Sequence, residues 1–72
     1  MNFGEDIKKC RKDAGYSQKE LAKILGLNQS SISDWENDIS RPDLETIFEL
    51  CKLFNVTIYD LLGIDEYTFR KI

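Results

Sequence analysis

The stretch from Tyr16 to Asn37 constrains this chain more than any other, because it carries the start and stop signals of two short helices side by side. Ser17 followed three residues later by Glu20 is a capping-box pattern, and Tyr16 is placed to staple onto Leu21. Leu21, Ala22 and Leu25 then recur at helical spacing as an inward face. Gly26 permits the left-handed conformation that ends a helix without a Cβ clash. Asn28 is expected to cap the next helix, whose inward residues are Ile32 and Trp35. The small side chain of Ala22 allows the two helices to approach closely. The pattern predicts helices over about 17–25 and 29–36 around one tight turn.

Similar signals organise the rest of the chain. Asn2 and Glu5 can cap a first helix with Phe3, Ile7, Cys10 and Ala14 on its apolar side, Lys8, Lys9 and Lys12 outside, and Gly15 as its stop. Asn37 to Arg41 reads as a loop whose exit is stiffened by Pro42. Asp43 caps a fourth helix with a broad inward face of Leu44, Ile47, Phe48, Leu50, Cys51 and Phe54, and Asn55 can end it in the left-handed region. Val56-Thr57 followed by Asp60-Leu61 repeats the staple and cap and opens a short fifth helix through Leu62. No strand pattern appears before the tail. Residues 64–72 alternate loosely and fit an edge strand, a frayed helix or disorder. The expectation is a single all-α bundle of five helices.

Composition narrows the function. A chain of 72 residues holds one domain with a small core, which compact packing or an oligomer partner would help. It has no apolar run able to cross a bilayer and no signal-peptide pattern at Met1-Asn2-Phe3-Gly4, so a soluble, cytoplasmic protein is expected. Cys10 and Cys51 fall at apolar helix positions and read as free, buried thiols. With no histidine, no metal-ligand spacing and no phosphate-cradling glycine loop, the sequence argues against an enzyme, a metal site or a cofactor. A net charge of −3 also opposes nucleic acid, but its distribution is uneven. Residues 1–33 carry six cations against four anions, whereas residues 34–72 carry four cations against nine anions. DNA binding survives this balance with a modest electrostatic contribution.

The series Gln18, Ala22, Gly26, Gln29-Ser30, Ile32 and Trp35-Glu36-Asn37 resembles the Cro and phage-repressor family of XRE-type regulators. The similarity runs from about Asn2 to Gly63 and leaves out only residues 64–72. It implies a compact five-helix, lambda-repressor-like helix-turn-helix DNA-binding domain over residues 1–63. The short C-terminal tail, residues 64–72, is a candidate dimer contact.

Within that frame, Gln29 stands in the first turn of the third helix, facing away from Ile32 and Trp35. Its amide can pair with adenine N6 and N7 in the major groove, or it can simply be solvated. The Ser30 hydroxyl can reach a base edge or a phosphate, or only favour a helix start. Gln18 lies in the first turn of the second helix, where N–H groups and the helix dipole suit a phosphate. The resemblance implies a backbone contact from Gln18 and an amide bond from it that orients Gln29. It also implies a phosphate contact at Asn37. Arg41 is the best-placed cation downstream, and Ser33 is a weaker candidate on the outer half of the helix. Asp34 lies one turn after Ser30, where it can accept from cytosine N4 yet is repelled by phosphates. It either enforces specificity or marks a face that meets DNA weakly. Trp35 is expected in the core. Arg11 and Glu36 match positions where the family joins its first helix to the end of its third, an ion pair expected as architecture rather than recognition. Where the family carries a glycine and a basic residue, this chain has Asp38 and Ile39. Asp38 tolerates a left-handed turn, but a phosphate contact is lost.

These readings imply a sequence-specific regulator of double-stranded DNA, a repressor acting as a homodimer on a near-palindromic operator. Leu61, Leu62, Ile64, Tyr67 and Phe69 are candidate dimer contacts or completions of the monomer's core, with Leu61 expected in the core and the tail aromatics better placed for the dimer. The alternative is a protein-interaction module, an antitoxin or anti-repressor, whose acidic second half meets a protein partner.

Overall fold

The computed structural model describes residues 3–62. Five helices follow in order: α1 (Phe3–Asp13), α2 (Gln18–Leu25), α3 (Gln29–Glu36), α4 (Leu44–Phe54) and α5 (Ile58–Leu62). No strand is present among the described residues. The fold is the expected all-α one. The tail residues Ile64, Tyr67 and Phe69 lie outside the described residues, as does Asn2.

Local chemistry sets most boundaries. Ser17 Oγ accepts from Glu20 N at 3.0 Å while Glu20 Oε1 accepts from Ser17 N at 3.0 Å, so both halves of the capping box form. Gly26 ends α2 at φ 71° and ψ 30°, and the Leu27 N–H closes the turn onto Ala22 O at 2.9 Å. Asp43 Oδ1 accepts from Thr46 N at 2.8 Å, and Asn55 stops α4 at φ 54°. Thr57 and Asp60 exchange reciprocal bonds at the start of α5. Asn28 differs from expectation. Its backbone is extended, as a cap should be, but its side chain makes no capping bond.

The core is built where α1 crosses α3 and α5, with Phe3, Ile7, Leu21, Ile32, Leu50 and Leu61 fully enclosed. Trp35 is 5% exposed and belongs to this core, and Leu61 completes it. Three residues depart from the expected inward faces. Leu44 and Phe48 are 61% and 51% exposed, because Ile47, Leu50, Cys51 and Phe54 already form the i, i+3, i+4, i+7 stripe and the other two fall on its flank. Ala14 lies beyond the end of α1 and is exposed.

Two features, one in the α3–α4 loop and one in α1, fix α3 against α1. Asp38 sits in the left-handed region at φ 58°, and its Oδ1 accepts from Gly4 N at 3.0 Å, so the α3–α4 loop satisfies an N–H at the start of α1. Gly4 is buried against α3, and a Cβ there would lie 2.5 Å from the Glu36 carbonyl oxygen. A side chain at this position would wedge the two helices apart.

Candidate nucleic-acid interface

Burial sorts α3 into two faces. Ile32, Trp35 and Glu36 are buried, Gln29 and Ser30 are exposed, and Ser33 and Asp34 are intermediate. This follows from the sequence, since the apolar residues recur three apart and everything between them is small or polar. The outer face carries no positive charge. With Ser31 also intermediate, its chemistry is that of one amide, three hydroxyls and one carboxylate.

The amide is held. Gln29 Nε2 donates to Gln18 Oε1 at 3.3 Å, joining the first turns of α3 and α2. Gln18 Nε2 in turn donates to Glu36 Oε1 at 3.0 Å. Arg11 Nε and Nη2 donate to Glu36 Oε2 and Oε1 at 2.6 and 3.2 Å, and Arg11 Nη1 donates to the Tyr16 carbonyl at 2.7 Å. The Arg11–Glu36 ion pair is therefore enclosed and bidentate, with side chains 8% and 3% exposed. The sequence reading lacked the Gln18–Glu36 bond and the Tyr16 carbonyl as acceptor, because neither leaves a local pattern.

Other candidates take up varied positions. Asn37 Nδ2 donates to Ser33 O at 2.9 Å and to Ser33 Oγ at 3.3 Å, so this amide closes the end of α3. A phosphate contact from Asn37 nitrogen would exchange one of those bonds. The Asp34 carbonyl accepts from Ile39 N at 2.9 Å. Arg41 is exposed with its guanidinium 5.1 Å from the centroid of the Phe3 ring, a cation–π contact that steadies it beside the start of α1. Ile39, beyond the end of α3, is 72% exposed. The N-terminal end of α2 also holds Glu20, whose carboxyl lies below its ordinary range because the Ser17 N–H and then the Ser17 hydroxyl bond to it.

Cys10 and Cys51 are free and partly buried. Burial, then Asp60, Asp13 and Asp6, push the Cys10 thiol up against a smaller opposing effect of Lys9. Burial and then Asp60 do the same at Cys51. Both therefore favour the unreactive thiol. Among the described residues no helix is long and apolar enough to cross a membrane, and no three His, Cys, Asp or Glu side chains gather as metal ligands.

Comparison with known proteins gives a consistent picture. The helix-turn-helix family profile matches residues 7–61. The chain is 41% identical over 71 residues to the HTH-type transcriptional regulator ImmR of Bacillus subtilis (strain 168), covering 99% of this chain and 56% of that protein. It is 38% identical over 64 residues to the antitoxin PezA of Streptococcus pneumoniae serotype 4, covering 89% of this chain and 40% of that protein. A prophage-derived HTH-type transcriptional regulator of B. subtilis, YonR, is 38% identical over 60 residues, which are 83% of this chain and 56% of that protein. The chain spans about half the length of these curated relatives.

Proposed function

Because this chain belongs to the XRE-type helix-turn-helix family, we propose that it binds double-stranded DNA sequence-specifically as a transcriptional regulator, with α3 in the major groove. The observation that carries this reading is Gln29, exposed in the first turn of α3 with its amide tethered to Gln18. A tethered amide loses less rotamer freedom on meeting a base, so more of its hydrogen-bond energy discriminates between bases. Gln29 and Ser30 read base edges, with Ser33 and Asp34 further along the same face. Gln18, Asn37 and Arg41 fix the register on phosphates. Asp34 accepts from cytosine and repels alternatives.

Residues 1–63 serve as the DNA-binding domain, and the chain acts in the cytoplasm as a repressor by occupying its operator. Paired copies place two α3 helices about one helical turn apart, which requires a near-palindromic operator. Residues 64–72 supply the dimer contact in this proposal. Mobility-shift titration at low and moderate salt with a random duplex pool tests the reading, and failure to enrich any sequence at any salt contradicts it.

A second reading is favoured by a separate observation, the nine anions of residues 34–72 together with relatives named as antitoxins, PezA and HipB. In it the same fold meets a protein partner and binds DNA weakly. The same titration separates the two.

A further inference from the structure

Arg11, Glu36, Gln18 and Gln29 form one continuous line of hydrogen bonds from the interior to the exposed face of α3. The order of atoms along this line is not free. A guanidinium only donates and a carboxylate only accepts, whereas each glutamine amide can point either way. Arg11 and Glu36 are 6% and 9% exposed, so neither can exchange its partner for bulk water. Glu36 Oε1 already accepts from Arg11 Nη2 and can only accept again, so the Gln18 atom that faces it is the amide nitrogen, and the Gln18 oxygen is turned toward Gln29. That oxygen requires a donor in turn, and the Gln29 nitrogen supplies it. Gln29 keeps its own Oε1 and its second N–H for a base. An acceptor beside a donor matches adenine, which offers its N6 amino group and N7, and mismatches guanine, which offers two acceptors at O6 and N7.

We propose that Glu36, clamped by Arg11, is a positioning residue for base recognition that sets which end of the Gln29 amide is presented and so selects adenine over guanine. The proposal rests on the reading of Gln29 as a base-reading residue. It gives the ion pair a second role beyond joining α1 to α3. Replacing Arg11 and Glu36 together by methionine would remove the guanidinium and the buried acceptor at once, without leaving either charge unpaired. Gln18 and Gln29 would then each sample both amide orientations, and Gln29 would present either end outward.

The test is selection of bound duplexes from a random DNA pool by the unmodified chain, the double variant Arg11→Met with Glu36→Met, Gln18→Met and Gln29→Ala, with folding of each checked by circular dichroism. The position that loses its preference with Gln29→Ala should read adenine for the unmodified chain. The double variant should lower the adenine-over-guanine preference at that position about tenfold while the remaining positions stay unchanged. Gln18→Met leaves the ion pair in place and should flatten the same position, which keeps the proposal testable if the double variant does not fold. Retention of the adenine preference in a folded double variant or in Gln18→Met overturns the proposal alone, as does uniform weakening with the motif intact. Enrichment of no sequence by the unmodified chain overturns the DNA-binding reading and this proposal with it.

Discussion

At Gly4 the backbone of α1 comes so close to α3 that an added methyl group would lie 2.5 Å from the Glu36 carbonyl oxygen. Alanine is the better helix former, by roughly 0.5–1 kcal/mol. The backbone oxygen cannot move without shifting α3, so the clash should win. Gly4→Ala is expected to destabilise the fold by about 1–3 kcal/mol, seen as a lower urea midpoint at unchanged slope. A neutral result would mean that the contact between α1 and α3 is slack. Arg11→Ala should cost more, about 3–5 kcal/mol by the same measurement, because it leaves the Glu36 carboxylate enclosed without its guanidinium. The two thiols give an independent check on packing. Both are pushed up by burial, so alkylation at neutral pH should be slow in the folded protein and fast once urea unfolds it. Rapid labelling of the native chain would contradict the packing described for Cys10 and Cys51.

At the scale of single helices, caps carry the local stability. Ser17→Ala and Asp43→Ala should each cost about 1 kcal/mol. Gly26→Ala should cost about 1–2 kcal/mol through its left-handed backbone alone, since a Cβ there meets no neighbour. Both capping carboxyls, Glu20 and Asp43, titrate below their ordinary ranges. The Ser17 N–H and hydroxyl hold Glu20 down, and the Thr46 side chain and N–H hold Asp43 down. A depressed folded-state pKa adds stability above the unfolded-state value and loses it as pH falls through the folded-state value. Melting temperature should therefore drop on acidification below the usual carboxylate range, and the drop should be shallower in Asp43→Ala. These caps were readable in the sequence because every partner lies within three or four residues. The helix order and the core positions Ile7, Leu21, Ile32, Trp35 and Leu50 were readable from spacing for the same reason. Spacing did not reveal which apolar residues of α4 the neighbours would cover, and Leu44 and Phe48 turned out exposed. Nor did it reveal the Asp38–Gly4 or Gln18–Glu36 bonds, which join residues 34 and 18 positions apart. Such bonds depend on how helices cross, and no short-range pattern encodes that. At the interface, Gln18, Gln29, the amide bond between them and the ion pair were legible from the family resemblance, while the Gln18–Glu36 bond that joins the two pairs was not.

For the whole molecule, charge is the unusual feature. Lys8, Lys9, Lys12, Lys19 and Lys23 are exposed on α1 and α2, but α3 brings no cation and the exposed Ile39 just beyond it is apolar. Each phosphate neutralised contributes roughly −0.9 to the slope of log affinity against log salt. The chain should therefore show a shallow salt dependence, and Arg41→Ala should flatten it by about one unit without altering the preferred sequence. Specificity then has to come from the α3 face rather than from bulk attraction. The most direct measurement of that claim is selection from a random duplex pool by the chain and by Gln29→Ala. The account predicts a two-fold symmetric motif for the unmodified chain and loss of preference at one symmetric pair of positions in the variant. The same motif from both proteins would contradict it.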